Sequence, residues 1–91
     1  MMMLTELEIA RQPEPDRIRA IRDRHGYTQA QCAWIVGASE RKWQRWETGD
    51  SSMPLSAWWL WLLRISEVTP AMLPQMPPRQ RGGAMIYVRA E

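Results

Sequence analysis

The 91-residue chain is long enough for one small domain plus tails, and 45% hydrophobic residues allow a thin globular core. A net charge of +2 names no partner by itself, and a single cysteine, Cys32, excludes a disulfide framework or a cysteine metal cluster. The opening MMMLTELEIARQ lacks the basic start and long apolar core of a signal peptide, and LSAWWLWLLRI falls far short of the roughly 20 residues of a membrane span, so a cytoplasmic chain without a membrane partner is expected.

Residues 1–12 read as a short amphipathic helix, with Leu4, Leu7 and Ile9 at loosely helical spacing and Pro13 and Pro15 interrupting it. A second helix is expected from about Pro15 to Arg24. Ile18 and Ile21 form its apolar face, and Gly26 lies just past its end. His25 reads as a helix-end residue rather than a ligand or a catalyst. A third helix opens at Thr28, where TQAQ forms a capping box, and runs to about Val36 before Gly37 stops it. A fourth follows Ser39, a good N-cap, and runs to about Glu47, ending near Gly49. Only Gly37 to Ser39 separate these two short helices, which makes them a helix-turn-helix.

A last helix is expected from near Pro54 to around Ile65. It is apolar nearly all round, so more than one of its faces has to be covered. Trp58, Trp59 and Trp61 step around its axis by about 100° per residue and cannot all face one thin core. The cover is either a second copy of the chain or residues 1–12 and 66–91 folded back. Pro70, Pro74, Pro77 and Pro78 then rule out a long regular helix, and Ala84–Ala90 reads as a lone strand that needs a partner. The expected fold is all-α: a compact bundle of four to five helices with a helix-turn-helix, and a Pro-rich tail ending in a short β-strand. The expected division is an arm or short helix over 1–14, a DNA-binding unit over 15–66 and the tail over 67–91, with the strand at 84–90.

Charge is distributed unevenly. Asp16 to Glu47 hold seven Lys/Arg and four Asp/Glu, a local +3, whereas residues 1–15 hold three Glu and one Arg, a local −2. Eleven of the twelve cations are Arg, which suits bidentate contacts to phosphates and base edges but also follows from a GC-rich genome. Within SERKWQRWETG, Trp43 and Trp46 are three apart and face one side of a helix. Glu40, Arg41, Gln44 and Arg45 then project elsewhere, with Lys42 on a flank. These are the residue types that read base edges: Arg pairs with guanine, Gln with adenine, and Glu accepts from cytosine. A solvated amphipathic face has the same pattern.

YTQAQCAWIVGASERKWQRWETG resembles the helix-turn-helix of the phage repressor and Cro (XRE-type) DNA-binding family. The matching features are Thr28-Gln29, Ala33, Val36-Gly37, Ser39, Trp46-Glu47, Gly49 and, in the preceding helix, Arg22. RKWQRWETGDSSMP is also similar to small phage and plasmid regulators such as anti-CRISPR-associated repressors. The resemblance covers about residues 17–65. It implies base reading by Glu40, Arg41, Gln44 and Arg45, and contacts to the DNA backbone from Thr28, Gln29, Ser39, Lys42, Ser51 and Ser52. Gln29 would also brace the next helix, and Arg22 and Glu47 would form a buried structural ion pair. Three features depart from the family. Trp34 and Ile35 replace usually polar residues, so this face is expected to be covered. Asp50 puts an anion in the loop that should lie on phosphate. Glu40 opposes phosphate unless it meets a cytosine amino group.

The expected function is that of a sequence-specific DNA-binding regulator. It would be an autorepressor, acting as a homodimer on double-stranded DNA at a palindromic operator. No catalytic constellation, cofactor or metal site is read, and the chain is not expected to be an enzyme. The alternative is an antitoxin or inhibitor module on the same fold with a protein partner. RNA on the same basic face is a third reading.

Overall fold

The computed structural model describes residues 4–74. Five α-helices follow in order: α1 (Glu6–Ala10), α2 (Pro15–His25), α3 (Gln29–Ile35), α4 (Glu40–Thr48) and α5 (Leu55–Arg64). A 3-10 turn at Pro70–Met72 comes after them. The described residues contain no strand, and the fold is the expected all-α bundle. The strand expected at Ala84–Ala90 lies outside the described residues.

Local chemistry sets the boundaries. Thr28 Oγ1 accepts from the Gln31 amide at 3.1 Å while the Gln31 side chain accepts from the Thr28 amide at 2.9 Å, closing the capping box. The same box occurs at Thr5 and Glu8, where TELE starts α1. That signal is legible in the sequence as TELE, alongside the apolar spacing of residues 1–12. Ser39 Oγ accepts from the Lys42 amide at 3.1 Å. Gly49 ends α4 with φ +87°, a left-handed conformation open to glycine at little cost.

The core is built around a connected set of tryptophans. Trp43 of α4 meets Trp46 edge-on at 5.5 Å between ring centroids, and Trp61 of α5 at 4.9 Å. Trp61 in turn lies 6.0 Å from Trp58. Trp43, Trp58 and Trp61 are completely buried. Contacts of this kind add about 0.5–1.5 kcal/mol each beyond area burial. Cys32 sits in this interior, where burial pushes its thiol up to about 11 against the opposing influences of the Trp61 indole and the Arg22 charge. The cysteine is a packed core residue.

Of the two covers expected for α5, a second copy or the chain folded back, the N-terminal segment folded back supplies cover for its tryptophans. α1 lies over α5: Ile9 is buried, Trp58 Nε1 donates to the Glu8 carbonyl at 3.3 Å, and Trp59 Nε1 donates to the Ile9 carbonyl at 2.7 Å. Each indole keeps its polar tip satisfied on a chain segment 50 residues away. Val68, after α5, joins the same core. The packing unit therefore extends on both sides of residues 15–66. On α3, Trp34 is 75% exposed within the chain, because Cys32 and Ala33 are the α3 residues that turn to the core; the described residues therefore do not supply the cover expected for this face. Ile35 is half-buried.

Candidate nucleic-acid interface

α4 has two sharply different faces. Trp43, Trp46 and Glu47, at spacings of three and four, are its buried residues. Glu40, Arg41, Lys42, Gln44 and Arg45 are all exposed. Arg41, Gln44 and Arg45 line one shallow polar depression with Thr48 and Asp50. Thus Asp50, from the following loop, sits beside the outward cations of α4.

Glu47 fixes the helix from below. It is 2% exposed, and its carboxylate is surrounded by donors from three helices. Arg22 of α2 reaches it through Nε at 2.6 Å and Nη2 at 3.1 Å. Gln29 of α3 donates from Nε2 at 3.0 Å, and Trp43 donates its indole N–H at 2.6 Å. Arg19 adds a bond to the Glu47 backbone carbonyl. Burial works to raise the Glu47 pKa, but the bonds from Arg22, Trp43 and Gln29 and the Arg22 charge outweigh it and hold it below the usual carboxylate range. The hydrogen bonds that Arg22 donates to Glu47 raise the Arg22 pKa in turn. One carboxylate therefore ties α2, α3 and α4 into a single orientation. The indole donor was not anticipated from sequence, although Trp and Glu four apart on one helix face is a signal for it.

The remaining residues singled out in the sequence lie around this helix. Thr28 and Ser39 are exposed caps at the starts of α3 and α4. Gln29 is half-buried, and its side-chain amide is engaged with Glu47. Ser51 is half-buried and donates its backbone N–H to the Arg45 carbonyl at 3.2 Å, while Ser52 is exposed. Both serines line a cleft whose other wall is Gln12–Pro15.

The ion pairs sort the cations. Every arginine of α2 is committed to a carboxylate: Arg17 to Glu8, Arg19 to Asp16, Arg22 to Glu47 and Arg24 to Glu67. Arg41, Lys42 and Arg45 form no ion pair among the described residues. The arginines of α2 thus each sit against a carboxylate, largely buried only for Arg22–Glu47, whereas the cations of α4 form no ion pair among the described residues. Glu67 also accepts from His25 Nε2 at 2.7 Å, and the His25 ring stacks on Tyr27. His25 therefore ends α2 as expected and additionally joins it to the segment after α5.

Residues 16–76 match the model of a family described as a helix-turn-helix domain. The chain belongs to that family. The helix-turn-helix is α3, the turn at 36–39 and α4. Over 52 residues the chain is 38% identical to a protein of Pyrococcus abyssi named as a candidate HTH-type transcriptional regulatory protein. That stretch is 57% of this chain and 15% of the relative, so the chain spans a small part of that protein's length. The described residues offer no group of His, Cys, Asp or Glu able to hold a metal ion, and no helix long and apolar enough to cross a membrane.

Proposed function

We propose that this helix-turn-helix protein is a sequence-specific DNA-binding transcriptional regulator of the phage repressor and Cro (XRE) type, with α4 as the reading helix. The observation that carries this is the pairing pattern on α4: three exposed cations that form no ion pair among the described residues, on a helix whose opposite face is locked by Trp43, Trp46 and Glu47. A rigid helix with uncommitted cations suits a phosphate-flanked major groove. In this reading Glu40, Arg41, Gln44 and Arg45 read base edges. Thr28, Gln29, Ser39, Lys42, Ser51 and Ser52 contact the backbone. Residues 15–66 form the DNA-binding unit, 1–14 an arm and 67–91 a tail.

The protein acts as an autorepressor, as in small phage or mobile-element regulators. It binds as a homodimer, since one module reads only a few base pairs and two modules roughly 34 Å apart read a palindrome. Leu7, Trp34 and Leu60 are large hydrophobic side chains left exposed, and Trp34, the most exposed of the three, is the surface offered to the partner copy.

That same exposed indole favours the second reading, a protein-binding module such as an antitoxin or inhibitor. One titration separates them. Selection of duplexes from a random pool, followed by binding across a salt series, should yield a preferred site whose affinity falls steeply with salt and with site mutation. Retention of a protein ligand with no duplex preference would overturn the regulator.

A further inference from the structure

The segment before α2 lies outside the matched family region, yet it packs beside the loop after α4. Gln12–Pro15 form one wall of a cleft whose other wall is Trp46, Gly49 and Ser51–Met53. The approach is close: a side chain begun at Gly49 would meet Pro15 Cγ at 3.6 Å. The position of the segment is fixed from both ends. α1 is held by the two indole bonds to the Glu8 and Ile9 carbonyls and by the Arg17–Glu8 pair at 2.5 Å. Pro15 begins α2. Only four residues, 11–14, join the two helices.

The loop has an electrostatic deficit as a phosphate contact. Thr48–Ser52 contains no cation, holds the exposed Asp50, and faces the exposed Glu14 across the cleft. The α2 arginines cannot supply the missing charge, because each is paired. Arg11 can. It is exposed, ends α1 in an extended conformation, immediately precedes Gln12 of the cleft wall, and forms no ion pair among the described residues.

Resting on the DNA-binding reading of α4, we propose that Arg11 and Gln12 are a further DNA-backbone contact. They extend the interface beyond the helix-turn-helix along the outer edge of the Ser51–Ser52 loop. Arg11 supplies the phosphate-neutralising charge, and the Gln12 side-chain amide donates beside it. The contact carries no sequence information, because it meets phosphate rather than base edges.

The test uses the full chain with two probes, a short duplex selected from a random pool and a duplex of unselected sequence. Arg11→Ala is compared with wild type, Arg11→Lys and Arg41→Ala. For Arg11→Ala the slope of log affinity against log salt should become shallower by about 0.9, with both duplexes weakened by the same factor. Arg11→Lys should keep the wild-type slope. An unchanged slope and affinity for Arg11→Ala, while Arg41→Ala loses the selected site, would overturn the arm contact and leave the α4 reading intact. Loss of sequence preference in Arg11→Ala would also overturn it, because a backbone contact cannot discriminate. Absence of duplex binding by the wild-type chain would overturn both. Arg11 makes no described contact that the fold depends on, and equal melting temperatures of variant and wild type check this.

Discussion

Trp43 donates its indole N–H to Glu47 one turn further along α4, at 2.6 Å, and both side chains are buried. A tryptophan in this place thus packs the core and also satisfies a buried carboxylate. Trp43→Phe keeps much of the packing and removes the donor. A hydrogen bond to a charged group is worth about 1.5–3 kcal/mol, and a loss of that size is expected in urea denaturation at neutral pH. A change below a few tenths would mean that water replaces the indole.

Glu47→Ala should be the more damaging change, because it strands the Arg22 guanidinium. Breaking one partner of such a pair costs about 3–5 kcal/mol, which approaches the whole stability of a small domain. Circular dichroism should show a largely unfolded chain or a melting temperature lowered by many degrees. A melting temperature near that of wild type would show that the pair contributes little.

Acid should weaken the fold through the same carboxylate. Glu47 and Glu67 are both held below the usual carboxylate range in the folded state. Depressed folded-state values mean that this stability is fully present above the unfolded-state value, about 4.3 for Glu. It is lost progressively as pH falls from there through the lower folded-state values. Urea melts between neutral pH and pH about 3 should show that decline. Glu47→Gln should flatten it. A wild-type curve that stays level below pH about 4 would contradict the assignment.

Arg41 and Arg45 are expected to govern sequence preference. Each Arg→Ala change should cost about 1–3 kcal/mol on the preferred duplex and relax selectivity at one position. Gln29→Ala should behave differently. It removes a donor to Glu47 as well as the proposed phosphate contact, so the variant should lose some thermal stability and weaken selected and unselected DNA alike. Wild-type selectivity in both arginine variants would remove α4 from the major groove.

Trp34→Ser isolates assembly from folding. The side chain is 75% exposed, so the monomer should keep its stability within about 0.5 kcal/mol. If a second copy covers this indole, sedimentation equilibrium should show the wild-type chain as a dimer and the variant shifted toward monomer. A wild-type species of 10.7 kDa at all concentrations would exclude the homodimer.

The sequence by itself determined the elements of this protein. Thr28, Ser39, Gly26 and Gly49 act on amides and carbonyls within a few residues of themselves, so helix starts and stops are local chemistry. The inward face of α4 was equally legible, because Trp43 and Trp46 at a spacing of three fix the phase of the helix. What a given face meets is not local. Only the tertiary structure decided that α1, rather than a second subunit, covers the tryptophans of α5, because those indoles find carbonyls 50 residues away. Only the tertiary structure left Trp34 outside the core of the chain. It also divided the arginines into those paired within the fold and those left exposed. Arg24 and His25 meet Glu67 across more than 40 residues, and Arg22 meets Glu47 across 25. The spacing of apolar residues along a chain gives the phase of each helix, whereas the pairing of its charges depends on how the helices dock.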